Sequence, residues 1–153
     1  MRKLFYFLSL VIIAGMAGLT NCGDGNGDEP LTPQQEQAQL LAGNWNHQNT
    51  TQSPQGVDPT ILDQLTMTFN IDANKNPTSF SSTGAPDFLA TTGSSTWSFS
   101  GSSTTSLILT NVSPVSALTI NSLSASSLSI SFTFTSGGRI AGLDGNYTVE
   151  MTK

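Results

Sequence analysis

The run Leu128-Ser129-Ile130-Ser131-Phe132-Thr133-Phe134 alternates one apolar side chain with one small polar side chain throughout. A helix, repeating every 3.6 residues, would scatter these apolar groups around its circumference. An extended strand repeats every two residues and puts all four on one face. The same beat recurs after it in Tyr147, Val149 and Met151, and before it in Leu118 and Ile120, Leu107 and Leu109, and Trp97 and Phe99. Further upstream come Leu65, Met67, Phe69 and Ile71, and then Trp45, His47 and Asn49. Strands with one buried and one wet face belong to antiparallel sheets. Ser and Thr make up roughly a quarter of the chain, and Thr in particular suits an exposed pleated surface.

With a weaker strand at 78–83, the pattern predicts eight strands, over 44–50, 64–71, 78–83, 95–101, 105–111, 116–121, 127–135 and 145–152. The fold class is therefore all-β. Short links between successive strands make an antiparallel up-and-down meander the economical topology, and eight strands close into a small barrel without free edges. A two-sheet sandwich is the competing architecture. Before the first strand, Thr32-Pro33-Gln34-Gln35 combines an N-cap, a proline at the first helical position and a glutamine at the third. With Gly43 as the stop, it predicts one short N-terminal helix over 33–42.

The links fall into two classes. Asp72 to Pro77, Ser102 to Thr104 and Ser122 to Ser126 are short, whereas Thr51 to Asp63, Gly84 to Ser94 and Ser136 to Asp144 are long. In a meander these classes fall at opposite ends, so one end is expected to be tight, with the helix across it, and the other loop-rich. A mouth or a partner surface belongs at the loop-rich end.

The chain opens with basic Arg2-Lys3, an apolar stretch from Leu4 to Gly18, and Leu19-Thr20-Asn21-Cys22. A basic head, an apolar middle and a small-residue approach to cysteine form the layout of a bacterial lipoprotein signal peptide. In such a peptide the cysteine thiol takes diacylglycerol and becomes the new N-terminus. The apolar stretch is at or below the roughly 17–25 residues that a membrane span needs, and no basic stop-transfer cluster follows. The division is then 1–21 signal peptide, 22–31 flexible acidic tether and 32–153 barrel domain. Cys22 is the lipidation site, and as the only cysteine it excludes an intrachain disulfide. The lipid, with palmitate among its acyl chains, anchors the chain in the cell envelope, at the outer membrane, on its periplasmic or surface face. Asp24 to Glu29 resembles the acidic run that marks surface display in Bacteroidetes-type bacteria; a plain soluble spacer is the other reading.

Loss of Arg2 and Lys3 takes the formal charge from −5 to −7 and leaves Lys75, Arg139 and Lys153 as the cations. No basic patch remains to follow a phosphate backbone, which excludes nucleic acid as a partner.

Leu41-Ala42-Gly43-Asn44-Trp45 places a G-x-W at the start of the first strand, after a short helix, and resembles the opening of the lipocalin and calycin barrels. The ending from Gly137 through Asn146-Tyr147 is similar to small lipocalin-like lipoproteins of Bacteroidetes-type bacteria. The resemblance implies that Gly43 and Trp45 serve barrel closure, with Trp45 packed across the closed end. Lipocalins also stack an arginine from near the last strand on that tryptophan. The alternation puts Arg139 at the opposite end from Trp45, so that pairing is not carried over.

Catalytic chemistry finds little to use. With one histidine, His47, and no second cysteine, both a zinc site and a Cys-His pair lack ligands. No G-x-S-x-G elbow occurs. Asp72-Ala73-Asn74-Lys75-Asn76 starts like a calcium loop, but Pro77 stands where glycine is required and Thr83 where glutamate is, so a hairpin turn is expected. The chain is expected to be non-enzymatic, without metal or cofactor. Candidate ligand-binding residues are His47, Trp97 and Phe132 on inward faces, and Arg139 in the last long loop. Arg139 could hold a ligand carboxylate or pair with Asp58 or Asp63. Two readings of function stand side by side. In one, the barrel binds a small apolar ligand or an envelope protein. In the other, it is filled by its own side chains, holds no ligand and serves as a structural or interaction surface.

Overall fold

In the computed structural model, which describes residues 30–136 and 142–153, the alternating run at 128–134 lies within strand β7 (Ser127–Phe134). It pairs without interruption with β8 (Gly145–Thr152), from Ser127↔Thr152 to Phe134↔Gly145. The other strands are β1 (Gly43–Gln52), β2 (Thr66–Ile71), β3 (Pro77–Thr83), β4 (Ala90–Phe99), β5 (Ser106–Pro114) and β6 (Ala117–Leu123). Each is antiparallel to the next, and β1 pairs with β8, so the sheet is a closed eight-stranded up-and-down barrel. The β1–β8 seam shifts register between His47 and Asn49 and again between Thr50 and Gln52. Closure removes the free edges that a sandwich would keep.

Helix α1 (Pro33–Leu41) begins with the capping box its sequence announces. The Gln35 N–H donates to Thr32 Oγ1 at 3.2 Å, and the Thr32 N–H donates to Gln35 Oε1 at 2.9 Å. Gln34 Nε2 donates to the carbonyls of Gly101 and Ser103, and Gln35 Nε2 to that of Asn74. The helix is thus tied to the β4–β5 and β2–β3 turns, across the tight end. In the β2–β3 turn, Asp72 accepts from the backbone and side chain of Asn76, and Lys75 has φ 64°. This is the hairpin geometry expected of Asp and Asn, with the carboxylate used up on its own turn.

Three features of the loop-rich end depart from the sequence reading. The segment Ala90–Ser94, expected to be loop, extends β4. It pairs with β5 around a bulge in which Thr91↔Val112 and Thr96↔Thr110 flank the single residue Asn111 on β5. Asn111 (φ 58°) fills the bulge, its carbonyl accepting from Ser95 Oγ and Thr92 Oγ1 and its Nδ2 donating to the Ser94 carbonyl. The preceding link holds a one-turn helix, α2 (Pro86–Leu89). The β1–β2 link also contains structure, a 3₁₀ turn at Pro59–Leu62 capped by Asp58.

Rings fill the interior in two groups. Near the tight end Trp97 stands edge-on to Phe69 (5.4 Å between centroids) and Phe99 (5.5 Å), and Phe69 meets Phe80. Toward the loop-rich end Phe132 stacks on Tyr147 (5.4 Å, 14° between planes), its cross-strand partner. Leu107, Leu118, Leu128, Ile130, Val149 and Met151 pack among them, each almost fully excluded from solvent.

Candidate functional site

The tight end is closed by the G-x-W segment. Trp45 is fully buried, and its Nε1 donates to the Leu41 carbonyl at 2.7 Å. Lys153 Nζ lies 4.5 Å from the Trp45 ring centroid and donates to the Leu40 carbonyl at 2.7 Å. One cation thus satisfies a carbonyl at the C-terminal end of α1 and covers the face of the tryptophan. Gly43 has φ +124°, which L side chains rarely adopt, and the Lys153 side chain passes 3.2 Å from where a Cβ would stand. Lys153, just beyond β8, therefore covers the tryptophan at this end of the barrel. Sequence reasoning tested Arg139 for that place and passed over Lys153, although the last alternating strand runs toward the helix. Burial pushes the Lys153 amine below its ordinary pKa.

The loop-rich end, where a mouth was expected, is plugged. Phe88 of α2 points inward, 3 % exposed, with its ring 4.5 Å from that of Phe134, 5.1 Å from Tyr147 and 6.3 Å from Phe132. Helix α2 is fastened by three contacts, two from Pro114 and Val115 and one from β3. The Val115 N–H donates to the Phe88 carbonyl, the Ser82 hydroxyl donates to the Leu89 carbonyl, and Leu89 bridges to Pro114. Leu62 and Leu65, from the β1–β2 link, complete the apolar cover.

The three candidate ligand residues that the structure describes, His47, Trp97 and Phe132, make separate sets of contacts. Trp97 belongs to the tight-end group and spends its indole N–H on the Asn70 carbonyl at 2.8 Å. Phe132 belongs to the other group. His47, whose side chain is 6 % exposed, shares a 2.9 Å hydrogen bond between Nε2 and Thr50 Oγ1, and its Nδ1 lies 3.7 Å from Asp63 Oδ1. Both partners come from the wall or the adjoining link, so His47 pins the end of the 3₁₀ turn to β1. Its backbone N–H donates to the Leu65 carbonyl in the same region. Arg139 and Cys22 lie outside the described residues, as do the expected signal peptide over 1–21 and the expected tether up to Glu29. Among the described residues no group of three or more His, Asp or Glu is arranged to hold a metal ion.

The carboxylates at the loop-rich end are likewise engaged locally. Asp58 accepts from the Thr60 N–H (3.0 Å) and hydroxyl (2.8 Å), and Asp144 accepts from the Ser136 N–H (2.6 Å). These backbone donors hold both carboxyls below the usual carboxylate range, as the Asn76 N–H does for Asp72. The Tyr147 hydroxyl donates to the Leu143 carbonyl at 2.6 Å; burial, and secondly the charge of Asp144, push its pKa up.

A broad concavity lies outside the barrel. A groove of about 550 Å³ runs across the outer wall of β6, β7 and β8, with the end of β1 on one flank and β5 on the other. Strand pairing accounts for its position. Strand β5 pairs with β6 at Ser106↔Thr119, Leu107↔Leu118 and Ile108↔Ala117, and beyond Ile108 only its pairing with β4 continues. Pro114 and Ser116 are thereby left as a lip beside a wall that continues through β7 and β8. Hydroxyl-to-amide bonds organise the wall. Thr133 donates to Asn146 Oδ1 (2.7 Å), Thr148 to Gln52 Oε1 (3.1 Å) and Ser131 to Asn121 Oδ1 (3.2 Å). Nothing in the sequence singled these residues out, because a Ser/Thr-rich outer face looks alike on every strand.

Fold and site together define a closed up-and-down barrel with a filled interior and a polar groove on its outer wall. Comparison of the chain with protein-family models, with curated proteins and with solved structures finds no match in any of the three.

Proposed function

We propose that the chain is a lipid-anchored, non-enzymatic binding protein of the bacterial envelope, held at the outer membrane through Cys22. In this reading it is a lipocalin-like barrel whose partner sits on the outer wall rather than in the lumen. The observation that carries it is the Phe88 plug. The space at the loop-rich end that would admit an apolar ligand is taken by a side chain in contact with Phe132, Phe134 and Tyr147, on a helix fastened at Phe88 and Leu89. The external groove, of about 550 Å³, offers a surface outside the lumen. The anchor reading draws on Arg2-Lys3, the apolar stretch and Cys22; the lipocalin-like reading draws on Gly43-Asn44-Trp45 and on the barrel.

Mass spectrometry of the protein purified in mild detergent from its own host's membranes tests both halves. The expected N-terminal peptide begins at an acylated Cys22, and the native mass carries no lumen passenger. An unacylated peptide that retains Met1 overturns the anchor, and a stoichiometric apolar passenger overturns the filled barrel.

A further inference from the structure

We infer that the outer groove binds a neutral oligosaccharide chain; the inference rests on the reading that the partner sits on the outer wall, and it names that partner's chemistry. The first observation is charge. The protein is acidic overall, yet no charged side chain lines the groove. The nearby carboxylates are kept occupied elsewhere: Glu150 accepts from Ser129 Oγ at 2.7 Å, and Asp144 accepts from the Ser136 N–H. A lining without charge offers no counterion to an anionic or cationic ligand, and taking an unpaired charge out of water there is costly. The surface matches a ligand that is polar and uncharged.

The second observation is the orientation of the amides. In the pairs Thr133–Asn146, Thr148–Gln52 and Ser131–Asn121 the amide oxygen accepts from a hydroxyl on the neighbouring strand. Each carboxamide is thereby turned so that its NH₂ remains to donate. Asn146 and Gln52 have no further side-chain partner among the described residues, and Asn121 makes only a long 3.4 Å contact to Ser129. Fixed amide donors interspersed with hydroxyls, which both give and accept, suit a ligand made of hydroxyl, ring-ether and acetamido oxygens. Because the donors are held by the strands, little side-chain entropy is lost on binding.

The third observation is the apolar fraction of the lining. Pro114 and Ala117, both exposed, contribute to it beside the polar rows. A sugar ring presents C–H faces as well as hydroxyls, so a lining of both kinds fits it better than an all-polar one. The groove is open along its length, which suits the side of a chain rather than a single enclosed ring.

The test uses the full-length lipidated protein in detergent, titrated by calorimetry with maltohexaose, laminarihexaose, mannohexaose and chitohexaose, and with a heparin-derived hexasaccharide as the charged control. At least one neutral hexasaccharide is expected to bind with Kd roughly 0.1–1 mM, a range suited to a solvent-shared groove in which new hydrogen bonds replace those to water. Heparin hexasaccharide is expected not to bind. Thr119→Trp fills the groove floor from the outer face and should abolish binding with the melting transition unchanged. Asn146→Leu removes one oriented donor and should weaken binding about threefold to tenfold. Failure of all four neutral sugars, or binding that survives Thr119→Trp, overturns the glycan assignment. A photo-crosslinker at Thr119 separates that failure from failure of the parent reading. A protein crosslinked in living cells would overturn the glycan assignment while leaving a partner on the outer wall. Failure of the sugars together with no crosslink to any envelope component would overturn both.

Discussion

At Trp45 three independent contacts meet: the indole N–H on the Leu41 carbonyl, the Lys153 ammonium over the ring, and the Met67 backbone as its cross-strand neighbour on β2. The terminal lysine is the least obvious of these and the easiest to test. Lys153→Ala removes a cation–π contact and a bond to a carbonyl at the end of α1, and is expected to cost about 1 kcal/mol in urea unfolding. Lys153→Arg keeps both features and should recover most of that loss; if Arg and Ala behave alike, the contact contributes nothing. Trp45→Ala should cost roughly 3–5 kcal/mol, as for any large ring deleted from a packed interior. Much of this corner was legible beforehand. Gly43 and Trp45 stand out as a motif, and the capping box is written in Thr32 and Gln35. Lys153 was not legible, because a lone lysine is ordinarily solvated, and only the closed barrel brings it over the ring.

The elements divide in the same way between those with a period and those without. Strands announce themselves because four apolar residues in alternation require only one face to be buried, and β7 and β8 were readable on that ground. Helix α2 is a single turn, too short for a 3.6-residue period, and Ala90–Ser94 has no alternating apolar residue, so both looked like loop. The groove depends on where β5 parts from β6 while staying paired with β4, a matter of pairing partners that no local pattern encodes. Yet α2 carries the functional argument, and two substitutions examine it. Phe88→Ala should destabilise by roughly 3–5 kcal/mol and open a cavity against Phe134 and Tyr147. Uptake of an apolar dye by this variant and not by the wild type would be the signature of a lost plug. Equal uptake by both would mean that the lumen is already open. Gly84, at the hinge before α2, has φ +81°, and a Cβ there would meet the Gln64 carbonyl oxygen at 1.7 Å. Gly84→Ala must therefore move the backbone of one long link against another, and a loss of more than about 2 kcal/mol is expected by thermal or urea unfolding.

For the whole molecule, the titrating groups set a pH window. Asp58, Asp72 and Asp144 each have a folded pKa below the unfolded value of about 3.9, through hydrogen bonds from Thr60, Asn76 and Ser136. A depressed carboxylate pKa contributes stability that is present above the unfolded pKa and is lost as pH falls through the folded one. The urea midpoint should therefore hold steady from pH 7 down to about 5 and fall below about 4. Asp72→Asn should flatten part of that acid limb. Tyr147 works at the other limit. Its folded pKa is raised by burial and by Asp144, so its contribution is complete below the unfolded value of about 10 and disappears as pH climbs past it. Lys153 has the opposite sign there. With its folded pKa lowered, the unfolded chain binds more protons between the two values, and stability rises with pH across that interval. Wild type alone cannot separate the two, but Tyr147→Phe keeps the ring stacked on Phe132 and removes only the phenol. That variant should lose the alkaline decline while starting lower at pH 7, by about 1 kcal/mol for the missing bond to the Leu143 carbonyl. An alkaline limb that survives in Tyr147→Phe would place the weak point elsewhere. The steady region between the limbs reflects the same design as the groove: the three depressed carboxylates are spent on backbone N–H groups of their own loops, the wall that meets solvent at the groove is left uncharged, and binding there should be insensitive to pH from about 5 to 9.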